Sequence, residues 1–287
     1  MILINNFFAY INLLLLYIFF IDKLYSFNLS ADNDDHCIER IANITNSDYN
    51  EIYINFNKDY YKISNNGRNQ FFVKSDITFY SDKGTIFDFQ KSKKSTLYFN
   101  IVEKKYVKII FKNITFFNFG DHEGGTMISV DILNDTKGSY KYSMEFENCI
   151  FKNNNDVIYY NKISCINPVQ SIPQAIFNNC TFIDSEQIFY NYHINKDYNV
   201  IKSCKCYTLY MSNCYFNNII SLGRLNTGDV IIDNCYFSNI IGDKKYNAAI
   251  ISSSNKENKI IIKNTIFEKN DVQKDIPFFD ITRTSLE

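Results

Sequence analysis

Apolar and polar positions alternate along most of this chain with a period of two, and the alternation slips phase at fixed points. The clearest stretch is 230–239, VIIDNCYFSN. The same pattern returns as IIFKNITFFN (109–118), MEFENCIFKN (144–153), AIFNNCTFID (175–184), LYMSNCYFNN (209–218) and IIIKNTIFEK (260–269). Take the central Asn as position zero: Asn113, Asn148, Asn179, Asn213, Asn234 and Asn264. Apolar residues then stand at −4 and −2, Phe stands at +3 in every copy, +1 is Ile, Cys in four copies, or Thr, and +5 is Asn, Asp or Lys. Period-two alternation marks a half-buried strand. Inward positions −4 and −2 would put zero inward as well, yet the next apolar positions are +1 and +3. One strand therefore ends at the Asn, the chain bends, and a second strand starts one residue later. A weaker copy, VKSDITFYS, is read with Asp76 at zero and Phe79 at +3.

Intervals between successive anchors are 37, 35, 31, 34, 21 and 30 residues. Self-similarity at this period indicates stacked units. No helix-period segment lies between copies, which excludes the helical repeat classes. A third apolar run follows each copy: GTIFDF from Gly84, GTMISVDI from Gly125, DVIYYN from Asp156, EQIFYN from Glu186, NIISL from Asn218, NAAIISS from Asn247 and IPFFDI from Ile276. Three short strands per unit, stacked about seven times, predict an all-β fold, a parallel β-helix or solenoid. Length variation then falls in the loops. The Asn column is expected to supply hydrogen bonds at the bend, each amide bonding the next in a buried ladder. The Phe column is expected to stack in the core.

The pattern Φ-x-Φ-x-N-C-x-F-x-N resembles the coils of right-handed parallel β-helix proteins of the pectate-lyase-like superfold. With GGTMI (124–128) and NAAI (247–250) the chain also resembles the GGAI-plus-FxxN repeats of polymorphic outer-membrane proteins. Its composition and opening are most similar to the expanded secreted β-helix families of anaerobic gut fungi. The likeness spans about 76–281. It implies the fold, and it leaves activity open because this superfold carries lyases, hydrolases and adhesins alike.

The ends divide the chain into three parts. Residues 1–21 carry no charged side chain and hold an apolar core at 7–21, which predicts a secretory signal over 1–26, cleaved after Ser26. The alternative is a membrane anchor through residues 2–21, since the run approaches the ~20 residues that span a bilayer. Residues 27–72 are expected to form an N-terminal cap and opening coil, with 31–35 a solvated start and a short helix at 38–46 laying Ile38, Ile41, Ala42 and Ile44 over the first coil. Residues 73–287 are expected to form the solenoid. A last strand at 276–281 without an amphipathic cap after it suggests a protein contact at an open C-terminal coil.

Secretion makes the eight cysteines and the sequons informative. Cys149, Cys180, Cys214 and Cys235 share the +1 column, where parallel neighbours point their Cβ vectors the same way. Such a geometry suits a disulfide poorly, so buried free thiols are expected there. A loop disulfide joining Cys165 to Cys204 or Cys206 fits better. No zinc or calcium spacing is complete. Asn28, Asn43 and Asn134 are the glycan acceptor candidates, and Asn113 and Asn179 are expected to be buried and bare.

Chemistry is sparse. The formal charge is −1 with only four Arg, which leaves no basic stripe for nucleic acid. No cofactor motif and no catalytic constellation is recognised. The cluster at 121–123 (DHE) reads as a turn, and Asp88, Asp131 and Asp280 do not share a register. Tyr159, Tyr160, Tyr190 and Tyr192, interleaved with Asn161 and Asn191, form the candidate glycan-contact face. The expected function is therefore a secreted, non-catalytic structural or adhesion-type protein whose partner is a plant cell-wall polysaccharide. The alternative is a divergent polysaccharide lyase or glycoside hydrolase of the same superfold.

Overall fold

A computed structural model of the chain describes residues 26–31, 37–45, 49–63, 69–102, 106–120, 125–132, 142–163, 172–193, 207–253, 255, 258–270, 272, 275–281 and 285–286. Strands pair in parallel throughout, each residue facing its counterpart one coil away, and the chain winds as a right-handed parallel β-solenoid. Three sheets run its length. The first holds positions −5 to −1, as in Tyr142–Glu147, Ala175–Asn178, Thr208–Ser212 and Asp229–Asp233. The second holds +2 to +4, as in Ile150–Lys152 and Tyr236–Ser238. The third follows after a further bend, as in Thr126–Ile132 and Val157–Ile163.

The bends explain the Asn. Asn113, Asn148, Asn179, Asn213, Asn234 and Asn264 all have φ between 50° and 57°, in the left-handed region, and the +5 residues Asn118, Asn153, Asp184, Asn218, Asn239 and Lys269 share that region at 51° to 67°. Asn and Asp are the side chains that tolerate this conformation best after Gly, because they are short and bond the local backbone. This corrects the expected buried ladder. Asn148, Asn179, Asn213, Asn234 and Asn264 are exposed and Asn113 is half-buried, because a left-handed residue between two inward positions turns its own side chain out. The amides still bond along the outside. Asn179 Nδ2 donates to Asn148 Oδ1 (2.7 Å) and Asn234 Nδ2 to Asn213 Oδ1 (2.6 Å), whereas Asn213 reaches Asn178, Asn264 reaches Asp233 and Asn113 reaches the Ser81 carbonyl.

The hydrogen bonds at the bend come from +1 instead. Cys149 Sγ lies 3.5 Å from the carbonyl oxygen of Phe111 one coil below and 3.5 Å from that of Glu147. Cys180, Cys214 and Cys235 repeat this on Phe146 and Asn178, Phe177 and Ser212, and Met211 and Asp233. Thr265 takes the same place with a hydroxyl, 2.7 Å from the Lys263 carbonyl. A thiol is thus a small hydrophobe that also donates weakly to carbonyls at the corner. All four cysteines are buried and outside any disulfide, and so is Cys37. Cys165, Cys204 and Cys206 lie outside the described residues.

Phenylalanine fills the interior in two stacks. At +3, the pairs Phe116–Phe151, Phe151–Phe182, Phe182–Phe216 and Phe216–Phe237 lie 4.2 to 4.8 Å apart with rings within 6° of parallel. At −2, Phe79, Phe111, Phe146 and Phe177 stack likewise, and the two columns meet edge to face, as in Phe146–Phe151 at 5.5 Å and 72°. Full burial of each ring contributes about 1.5–3 kcal/mol.

Two expectations about the first coils change. Phe79 pairs with Phe111, so it occupies −2 rather than +3, and Ile77 occupies −4. Position zero of that coil is extended to 81–84, with Gly84 (φ 89°) in the left-handed region. GTIFDF is accordingly a second-sheet strand, its Phe87 facing Phe116, and the third strand of that coil is Leu97–Ile101. An alternating run fits either phase, so the insertion hid the register. At the N-terminal end, Ser26–Ser30 adds one more first-sheet strand against Glu51–Asn55. The helix Cys37–Ile44 buries Cys37, Ile38, Ile41 and Ala42 over the opening coil, with Ile44 half-buried. Among the described residues no helix is long and apolar enough to cross a membrane, and 1–25 lie outside them.

Two measurements check these assignments. Asn213→Gly should leave thermal stability within about 0.5 kcal/mol of the parent while Asn213→Ala costs about 1 kcal/mol, since only the second is strained at φ 55°. Equal losses in both variants would mean that the amide bond, not the backbone, sets the preference. Burial pushes the Cys180 and Cys214 thiols well up, and the Cys214 neighbour followed by burial does the same for Cys235. Iodoacetamide at mildly alkaline pH should therefore leave these three unlabelled by mass spectrometry until denaturant is added.

Candidate functional site

Along the outer face of the third sheet, register stacks Ser129, Tyr160, Tyr190, Arg224, Ser252 and Asp280 in one column. They face out because their predecessors Ile128, Tyr159, Phe189, Gly223 and Ile251 face in, all buried. Gly223 has a packing reason: a Cβ there would stand 2.5 Å from the Phe189 ring and carbonyl. The Tyr160 and Tyr190 rings lie 5.6 Å apart at 61°, and the Arg224 guanidinium sits 5.9 Å from the centre of the Tyr190 ring.

Three members of this column, Tyr160, Tyr190 and Arg224, form the floor of a cleft of about 360 Å³. Gly125, Thr126, Asp156, Val157 and Gln187 flank it, and Lys245, Tyr246 and Asn247 close one end. The end wall is a short 3₁₀ turn, Lys244–Tyr246. Asp243 caps it, its Oδ1 accepting from the Lys245 N–H at 2.7 Å, and Asn247 leaves it at φ 66°. From there Tyr246 reaches back across an intervening coil. Its hydroxyl donates to Glu186 Oε2 at 2.6 Å, and Lys245 Nζ approaches the same oxygen at 3.4 Å and the Tyr246 ring at 4.9 Å. Burial, then the Glu186 bond, pushes the Tyr246 phenol well above its ordinary value, with Asp156 and Asp243 adding to the shift. Asp156 is 2% exposed and packs against Gly120. The φ of Gly120 is 85°, and a Cβ at that position would come within 2.7 Å of Asp156 Oδ2.

Of the four tyrosines expected on a glycan face, Tyr160 and Tyr190 line the cleft and Tyr159 does not. Tyr159 is fully buried, edge-on to Phe146 and Phe177, because consecutive strand residues face opposite ways. Tyr192 pairs through its backbone with Lys162, and its side chain lies outside the described residues. The three aspartates remain apart. Asp88 is a second-sheet residue that accepts from the Tyr60 hydroxyl at 2.6 Å, Asp131 stands in register with Lys162, and Asp280 accepts from Ser252 Oγ at 3.3 Å. Residues 121–123 lie outside the described residues. Asn28 and Asn43 are exposed, and Asn134 is not described.

Sequence reasoning passed over Arg224, Asp156, Glu186, Lys245 and Tyr246. Arg224 was within reach: adding the anchor interval of 34 residues to Tyr190 lands on it. Lys245 and Tyr246 were not, because a turn that reaches back over a coil follows no period. Among the described residues no cluster of His, Cys, Asp and Glu could hold a metal ion. The fold and cleft define the class, a right-handed parallel β-solenoid with an aromatic and cationic groove on its third sheet. No protein-family model matches the chain, and no curated protein is significantly similar to it.

The Tyr246 tie is open to measurement. Tyr246→Phe should destabilise the fold by about 1–2 kcal/mol, the worth of a hydrogen bond to a charged acceptor. A phenol whose value is raised in the folded state favours its protonated form there. Its contribution is therefore complete below its ordinary 10.0 and fades as pH rises beyond that. The parent–variant difference in urea midpoint should hold constant from neutral pH upward and shrink only above that point.

Proposed function

We propose that this chain is an extracellular, non-catalytic β-solenoid of structural or adhesion type that holds a polysaccharide along its third sheet. The observation that carries the reading is the outward run of Tyr160, Tyr190 and Arg224, ring edge-to-face with ring and guanidinium over ring in an open groove. Aromatic faces bind the apolar faces of pyranose rings, and planar cations and amides bond their hydroxyls. Gln187 and Asn247 supply the amides at the rim. Rungs spaced about 4.8 Å apart give a floor several sugars long rather than a closed pocket. The apolar opening at 7–21 supports export, and the exposed Asn28 and Asn43 are acceptors for glycan in that compartment.

A hydrolase or lyase reading keeps one observation in its favour, two carboxylates close at hand: Asp156 lines the cleft, and Glu186 is bonded to the cleft residues Tyr246 and Lys245. Paired carboxylates are what glycosidic cleavage uses. Glu186, however, already accepts from Tyr246 and Lys245, an arrangement that commits it to closing the end wall.

Pectin, xylan, mannan and cellulose offered to the chain in pull-down format, with soluble product followed in the same wells, separate the two readings. The expected result is retention without release, weakened about tenfold by Tyr190→Ala and by Arg224→Ala. Release of reducing or unsaturated ends, abolished by Glu186→Gln, would establish the enzyme instead.

A further inference from the structure

The second sheet presents a different surface. Its outward +2 column runs Tyr60, Ile86, Thr115, Ile150, Thr181, Tyr215, Tyr236 and Ile266 in unbroken register. Five of the nine large hydrophobic side chains exposed among the described residues fall in it: Tyr60 at 42%, Ile86 at 38%, Ile150 at 40%, Tyr215 at 38% and Ile266 at 55%. Chance scatter of surface apolar groups would not align them. The two left-handed columns border this stripe with exposed amides, Asn148, Asn179, Asn213 and Asn234 on one side and Asn218 and Asn239 on the other. An apolar centre with a polar rim is the anatomy of a protein interface.

We propose that this face pairs with the same face of a second copy of the chain, the two solenoids antiparallel, about a two-fold axis along the strand direction. Such an axis opposes the first rung to the last and keeps each column facing itself. In the +2 column, Tyr60 then meets Ile266, Ile86 meets Tyr236, Thr115 meets Tyr215, and Ile150 meets Thr181 at the centre. Each large side chain lies against a smaller one. In the adjacent +4 column, Lys62 meets Glu268 at both ends, and no like charges oppose. Glu268 is held in its charged form chiefly by the Tyr236 hydroxyl. Turning the tyrosine hydroxyls aside serves the same end: the Tyr60 hydroxyl donates a hydrogen bond to Asp88 of its own chain, leaving its ring toward the partner.

A parallel pairing fits worse. It would set each +2 residue against the +4 residue of its own rung, putting Ile86 on Asp88, Ile150 on Lys152 and Ile266 on Glu268. These set three charges on aliphatic groups, where the antiparallel pairing sets one, Lys152 on Ile183. Size is adequate for the antiparallel arrangement. Eight rungs and the breadth between the two amide columns span about 34 by 17 Å, which with side-chain relief comes near the ~800 Å² that each partner brings to a standard interface.

The test is sedimentation of the full chain between about 1 and about 100 μM. The expected species is a dimer, reduced to monomer by Ile150→Lys or, independently, by Thr181→Lys, both at outward positions where circular dichroism should show an intact fold. Lys62→Glu alone and Glu268→Lys alone should each weaken the dimer about tenfold, since both ends then oppose like charges. Mixing those two variants should restore it, because every end of the mixed pair carries one acid and one base. A monomeric parent throughout the range, or a dimer indifferent to both lysine variants, would overturn the proposal. Failure of the mixture to recover would overturn the antiparallel register.

Discussion

Everything in this molecule follows from in-register parallel stacking. The backbone N–H groups of one coil bond the carbonyls of the next, so a residue at a given position always has residues of that same position about 4.8 Å above and below. Each column must therefore tolerate itself. Phenylalanine does so by offset stacking, worth about 0.5–1.5 kcal/mol per pair beyond burial. Valine, isoleucine and leucine do so at −4. Charges do so only by alternating, and the −1 column shows it, with Lys112 bound to Glu147 at 2.8 Å and Asp233 set beside Lys263.

The corner is where self-compatibility is hardest. A chain that turns sharply between two inward positions needs a left-handed residue, and the strain of that conformation falls on whatever side chain stands there. Asn meets it, and the +1 thiol meets the second difficulty, the carbonyls the turn leaves pointing inward. Each corner is thus a two-residue device, Asn for backbone and Cys for carbonyls. Ile114 and Thr265 show its tolerance, since neither end of the column requires sulfur.

That device accounts for how much could be read without coordinates. A column repeated six times announces the solenoid, its strand order and its inward faces. Its cause was less legible. Amide bonding and a left-handed backbone both favour Asn at a bend, and only φ separates them; taking the first led to a buried ladder where Asn179 in fact lies exposed. The coil containing Phe79 was misphased because its bend carries Gly84 and three extra residues in place of an Asn. Tyr159 and Tyr160 were both assigned outward although a strand can turn out only one of them. The end wall of the cleft stayed hidden for a deeper reason: periodic signals describe what repeats, and Lys245 and Tyr246 bind Glu186 by departing from the repeat.

The two special faces also bear on one another. In two coils one continuous strand runs from the second sheet into the third, Thr181–His193 and Tyr215–Leu225, so there the third sheet adjoins the C-terminal edge of the second. A two-fold axis along the strand direction preserves that edge. An antiparallel pair joined through its second sheets would therefore carry both third sheets on the same side of the interface, with their grooves running in opposite senses. If each groove holds a glycan as proposed, the two would act on one surface together. The second contact forms at an effective concentration set by a rigid spacing, which raises overall affinity without any new contact within either groove. A shallow aromatic groove offers few contacts alone, so for a polysaccharide held as proposed, pairing would be the physical route to retention.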